Sequence, residues 1–215
     1  MTEPQFKSGY VSIIGEPNVG KSTLLNAMLG EKLAIVTPKP QTTRNQIRGI
    51  VTSDDYQIIF LDTPGILRPK YQLHKWMVKA AYAAIQDADL ILYLIDVTQT
   101  SPQVEEEILD AIHQVNQKTI LVINKIDRIA RLNLLPIIDN YSRKFPFVES
   151  VPISALNQDG IERLKDLILG YLPSGPQYFP PDQISDLPQR FFIAETIREQ
   201  IFLQTKQEVP YSTSV

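Results

Sequence analysis

Short apolar runs rich in β-branched residues recur along the chain: YVSIIG (Tyr10–Gly15), YQIIFLD (Tyr56–Asp62), LILYLID (Leu90–Asp96), TILVIN (Thr119–Asn124) and ESVPIS (Glu149–Ser154). Runs of this length, bounded by turn residues, predict buried strands. Between them apolar positions return at helical spacing in KSTLLNAML, Leu73–Ala84, Val104–Val115, Leu134–Tyr141 and Ile161–Leu169. Strands alternating with helices predict an α/β fold, a mostly parallel sheet with helices on both faces. In QIRGIVTSDDYQIIFLD, two strand-like runs are joined by Ser53-Asp54-Asp55, which predicts a tight hairpin and one antiparallel edge strand. The pattern stops after Leu172. Residues Pro173–Pro188, PSGPQYFPPDQISDLP, read as a linker. QRFFIAETIREQIF then predicts one more helix and EVPYSTSV the beginning of a strand. Leu187, Phe191, Ala194, Ile197 and Ile201 fall at helical spacing and predict a single apolar face that needs a partner. The chain thus divides into 1–172, 173–188 and 189–215.

Composition narrows the chemistry. At 215 residues, 43% hydrophobic and 21% charged, the chain is an ordinary globular sequence with room for one full domain and a remnant. The absence of cysteine removes disulfides, thiolate metal sites and thiol catalysis, and fits a reducing compartment. The N-terminus carries no signal-peptide pattern, and runs such as LILYLI are too short to span a bilayer, so the expected location is the cytoplasm. A net charge of −3 argues against non-specific nucleic-acid binding, so any RNA or membrane contact must be local.

Four segments carry chemistry. GEPNVGKS (Gly15, Glu16, Pro17, Asn18, Val19, Gly20, Lys21, Ser22), followed by Thr23, matches the P-loop pattern between a predicted strand and a predicted helix. Its glycines let backbone N–H groups converge on phosphate oxygens, Lys21 reaches the β- and γ-phosphates, and Ser22 can ligate Mg²⁺. DTPG (Asp62, Thr63, Pro64, Gly65) with Ile66 follows another strand; Asp62 is placed to hold Mg²⁺, directly or through water, and Gly65 to let its N–H approach a γ-phosphate. NKID (Asn124, Lys125, Ile126, Asp127) selects the base. A carboxylate only accepts hydrogen bonds, and guanine offers it N1–H and the 2-amino group side by side, so Asp127 selects GTP and GDP over adenine nucleotides. Asn124 can bridge base and P-loop, the Lys125 stem can cover the ring, and in SAL (Ser154, Ala155, Leu156) the Ala155 N–H can meet guanine O6.

With these motifs, in this order over residues 8–172, the chain resembles the translation-factor-like GTPases, and more narrowly the Era-like GTPases of bacterial ribosome assembly. The segment PKPQTTRNQIRG (Pro38–Gly49) is similar to the switch I of that family. Through this resemblance Thr43, with Thr42 as the alternative, is expected to place its hydroxyl on Mg²⁺ and its N–H on the γ-phosphate. The resemblance further implies Asn18 as a candidate K⁺ ligand, a KH-type RNA-binding domain opening in the tail, 16S rRNA and the small ribosomal subunit as partners, and a peripheral contact with the inner membrane. Expected catalytic residues are Lys21, Thr43 and Gly65. After DTPG stand Ile66, Leu67 and Arg68, where many GTPases carry a water-orienting glutamine, so slow intrinsic hydrolysis is expected. A GTP-gated binding module with negligible hydrolysis stays open as the alternative. For the tail, a helix packing back on the first domain stays open too.

Overall fold

The computed structural model describes residues 5–37, 46–65, 82–99 and 101–204. Six strands form one sheet: β1 (Lys7–Ile14), β2 (Ile47–Thr52), β3 (Tyr56–Asp62), β4 (Leu90–Asp96), β5 (Lys118–Asn124) and β6 (Glu149–Pro152), in the order β2-β3-β1-β4-β5-β6. Every pairing is parallel except β2 with β3. In that hairpin the Ser53 N–H reaches Tyr56 O at 2.9 Å, leaving Asp54 and Asp55 at the tip.

Helices among the described residues include α1 (Lys21–Leu29), α2 (Pro102–His113), α3 (Leu134–Lys144), α4 (Ile161–Tyr171) and α5 (Gln189–Gln204). Strand alternation explains why β4 is buried at every position. Leu90, Leu92 and Leu94 join a core with Leu24 and Leu25 of α1 and Leu164 and Ile168 of α4. Ile91, Tyr93 and Ile95 point the other way, toward Ile108 and Ile112 of α2 and Tyr141 of α3. β1 sits mid-sheet between β3 and β4, so successive connections leave it in opposite directions. That reversal opens a crevice at the carboxyl ends of the strands, where the P-loop lies.

Residues 173–188 form an ordered strap across the sheet. Ser8 N–H bonds Pro173 O at 3.2 Å, and the Ile50 N–H on β2 bonds Ile184 O at 2.9 Å. Arg48 pairs with Asp186 at 2.6 Å. The strap therefore satisfies part of an edge strand that would otherwise be open to pairing. Its anchor is Gln57, wholly buried. The Gln57 Nε2 donates to Thr52 Oγ1 (3.0 Å) and Phe179 O (2.9 Å), while Oε1 accepts the N–H groups of Tyr178 (2.8 Å) and Phe179 (2.9 Å). Replacing it by Leu removes all four of these hydrogen bonds, and we expect Gln57→Leu to cost about 3 kcal/mol in urea unfolding. A loss below about 0.5 kcal/mol would show that the strap's polar anchoring is dispensable.

α5 departs from the single apolar face predicted for it. Leu187 and Phe191 do pack against the core, but Ile197 is exposed. The buried positions of the helix are Glu195, Arg198, Glu199 and Phe202. Glu199 accepts hydrogen bonds from Lys32 (2.6 Å) and from the Val36 N–H (3.1 Å), and Arg198 pairs with Glu195. Partners from the loop after α1 thus make a polar helix face the inward one, and spacing of apolar residues alone could not reveal that. No described helix is long and apolar enough to cross a membrane.

Candidate functional site

A cleft of about 480 Å³ lies at the carboxyl ends of β1, β4 and β5. Lys21, Ser22 and Thr23 line it from α1, Asn124, Lys125 and Asp127 from the turn after β5. Pro17, Asn18, Gly20, Gly65 and Leu156 complete the predicted part of its wall.

At its phosphate end, Gly20 precedes α1 with φ 105, a left-handed conformation suited to glycine. A Cβ there would meet Asn124 Nδ2 at 2.3 Å, so the glycine is required by conformation and by the neighbouring amide alike. Lys21 is buried and donates to Glu16 O (2.8 Å) and Gly15 O (3.2 Å). Burial pushes its ammonium down to about 8, against the pull of Asp62 and Glu16. Asp62 is buried too; burial pushes it up to about 6, opposed by Lys21 and by the Ser22 hydroxyl, which donates to Asp62 Oδ2 at 2.9 Å. The other carboxylate oxygen, Oδ1, is buried and has no hydrogen-bond partner among the described residues. A hydroxyl beside an orphaned carboxylate oxygen is an oxygen-donor set that fits Mg²⁺. Gly65 rests on the P-loop, where a Cβ would lie 2.7 Å from Pro17 Cα.

At the base end, Asn124 ties three segments together. Its Nδ2 donates to Val19 O (2.8 Å), and its Oδ1 accepts the Ala155 N–H (3.0 Å). The predicted bridge from Asn124 to the P-loop is present, while the Ala155 N–H is directed at Asn124 in place of open space for guanine O6. Ser154 fixes one oxygen of Asp127, its Oγ donating to Asp127 Oδ1 at 2.6 Å. Lys125, at φ 64, donates to Asn18 O (2.7 Å) and pairs with Asp96 (2.5 Å).

Some predicted residues serve the site only indirectly. Thr63 is fully buried and donates to Ile13 O at 2.9 Å, tying the end of β3 to β1. The Glu16 carboxylate turns to α2 and accepts the Ser101 N–H at 2.8 Å; burial raises it above the usual carboxylate range. Val19 and Ala155 are core residues that act through their backbone. Thr42, Thr43 and Ile66 lie outside the described residues. Sequence reasoning missed Asp96, Thr98, Gln99 and Arg128, all on the cleft wall. The available signal for Asp96 was its place at the carboxyl end of a central parallel strand.

Comparison with known proteins agrees with this geometry. Residues 10–125 match the family model described as 50S ribosome-binding GTPase. GTPase Era of Geotalea uraniireducens is 51% identical over 215 residues, all of this chain and 72% of that protein. GTPase Era of Geotalea daltonii is 49% identical over the same span. A crystal structure of Era with MgGDPNP and nucleotides 1506–1542 of 16S ribosomal RNA superposes with a TM-score of 0.92 at 47% identity, covering 96% of this chain and 70% of that one. Aquifex aeolicus Era bound to GDP·AlF4⁻ gives 0.92 at 47% identity, covering 96% and 71%. Shared identity along the whole chain, and motifs that converge on one cleft, place this chain in the Era family of GTPases.

Proposed function

We propose that the chain is a GTP–GDP switch of small ribosomal subunit assembly that hydrolyses GTP slowly and engages 16S rRNA according to the nucleotide it holds. The observation that carries this reading is one cleft with Asp127 oriented by Ser154 at its base end and Lys21, Ser22 and the half-satisfied Asp62 at its phosphate end. Lys21 exchanges its contacts on Gly15 O and Glu16 O for β- and γ-phosphate oxygens, and the anionic phosphates restore the positive charge that burial disfavours. Ser22 and Asp62 would hold Mg²⁺, with Thr43 as the further ligand the family resemblance implies, and the ion would supply positive charge against that developing on the phosphates. Backbone N–H groups of the P-loop and of Gly65 supply the remaining electrostatic stabilisation. Asn18, left-handed at φ 64 on the cleft wall, is the proposed K⁺ ligand.

Support for the RNA-binding part comes from α5 and from the Era–rRNA relative. On α5, Ile193 56%, Ile197 48% and Leu203 54% are exposed apolar side chains that a following domain could cover. We assign residues 189–215 to the opening of a KH-type domain and 173–188 to the linker before it.

The test is single-turnover GTP hydrolysis with Mg²⁺ in K⁺ or Na⁺ buffer, alongside binding of a 3′-terminal 16S rRNA fragment. Turnover on the order of 10⁻⁴ to 10⁻² s⁻¹ is expected, faster in K⁺, and Lys21→Ala should reduce it more than about 100-fold. Wild-type turnover in Lys21→Ala would remove the P-loop assignment, and equal rates in Na⁺ would remove the K⁺ role. RNA should bind more tightly with a non-hydrolysable GTP analogue than with GDP. Nucleotide-dependent binding to a protein or membrane without turnover would favour the binding-module alternative.

A further inference from the structure

We propose that Asp96 is a positioning residue of the guanine site, acting through Lys125 to lock the base loop onto the P-loop. This inference rests on the guanine-nucleotide reading of the cleft.

The Asp96 carboxylate is 6% exposed at the end of β4 and divides its two oxygens between two tasks. Oδ1 is fixed from its own turn by the Thr98 N–H (2.8 Å) and the Thr98 hydroxyl (2.7 Å). Oδ2 receives the Lys125 ammonium. Two short, local bonds on one oxygen set the plane of the carboxylate, so the direction from which Lys125 is attracted is set as well. Burial alone would raise its pKa, but Lys125 and Thr98 outweigh it and hold the group below the usual carboxylate range. The carboxylate is therefore charged throughout the neutral range.

Lys125 needs such an anchor. It stands at φ 64, a conformation that costs a non-glycine residue energy and persists only where its surroundings enforce it. Its ammonium is committed to Asp96 Oδ2 and to Asn18 O, and Asn18 is itself at φ 64. The lysine is thus a strut from β4, through the base loop, to the phosphate loop. Its charge is spent on protein contacts, which leaves its aliphatic stem, held taut between them, as the surface that meets the nucleotide. The backbone runs in the same sense, because the Val97 N–H bonds Asn124 O at 3.2 Å. Freed from Asp96, the stem loses its defined position and the base loop one of its ties to the P-loop.

The experiment is a double-mutant cycle on GDP binding, read with a fluorescent GDP analogue, together with GTP steady-state kinetics. Asp96→Asn keeps shape and removes charge; we expect about tenfold weaker GDP binding, carried by faster release, with the loss in GTP turnover falling on KM far more than on kcat. Asp96→Glu should recover part of the affinity, and Thr98→Ala should weaken binding in the same direction by a smaller factor. In a Lys125→Ala background, Asp96→Asn should change affinity less than twofold, because the strut is already gone. Undiminished affinity in Asp96→Asn, or a full tenfold loss in both backgrounds, overturns the proposal. Thermal unfolding without nucleotide separates a folding defect: weakening in Thr98→Ala at unchanged melting temperature supports positioning, and weakening that merely tracks melting temperature overturns it. Wild-type protein that fails to bind GDP would overturn the guanine-site reading itself, whereas tight wild-type binding with no effect at Asp96 overturns this inference alone.

Discussion

Asp127→Asn is expected to weaken GTP binding by about 10²- to 10⁴-fold while improving binding of xanthosine nucleotides. The range follows from losing hydrogen bonds from guanine N1–H and the 2-amino group to a charged acceptor, each worth about 1.5–3 kcal/mol. An asparagine can still accept from N1–H, but its amide then presents a donor to the 2-amino group, two donors facing each other. Xanthine carries a carbonyl at that position and accepts the same amide. The geometry favours a clean swap, because Ser154 Oγ, which holds Asp127 Oδ1 at 2.6 Å, can equally donate to the asparagine carbonyl. Competition between GDP and XDP for a fluorescent nucleotide measures it. An unaltered preference for GDP would take Asp127 out of the base site.

The parts of this molecule that were legible in the sequence depend on local order. β4 reads as a buried strand because its alternate residues face two cores, so every position is apolar. The P-loop reads as such because its glycines, lysine and serine are contiguous, and Gly20 indeed sits at φ 105 against Asn124. What could not be read depends on partners distant in the chain. Glu199 is an inward residue because Val36 and Lys32 meet it across the fold. Gln57 interrupts an apolar strand because a strap of backbone from 178–179 requires both ends of its amide. Thr63 belongs to the motif by position, yet its hydroxyl is bound to β1. Membership of a motif fixes where the backbone runs, while the direction of each side chain is settled by tertiary neighbours. Asp96 is the converse, a cleft residue outside every motif, whose tie to the base loop is seen only when Lys125 reaches it.

Asp62→Asn separates stability from function, and we expect the two to move in opposite directions. In metal-free, nucleotide-free protein, Asp62 is a buried carboxylate raised to about 6, with one oxygen bonded to Ser22 and the other without a partner among the described residues. A carboxyl whose folded value exceeds its unfolded one binds an extra proton in the folded state between those two values. Its penalty is therefore fully present at neutral pH and is relieved as pH falls from about 6 toward 4. Asparagine removes that penalty at neutral pH, on the order of 3 kcal/mol for a rise from 3.8 to about 6. Part of the gain is returned, because Lys21 loses the Coulombic partner that helps keep it charged. A net stabilisation of about 1 kcal/mol should remain in urea unfolding with a chelator present, and it should shrink as pH is lowered toward 4. On the proposed assignment of Asp62 to Mg²⁺, the same substitution would leave the ion a neutral donor in place of a carboxylate, and single-turnover GTP hydrolysis should fall by more than about 100-fold. A variant that is less stable at neutral pH, or that hydrolyses GTP at the wild-type rate, would mean that the strain in this carboxylate is not stored for the metal. With both effects found, the free energy of the orphaned oxygen is the cost of a site held ready for a divalent cation.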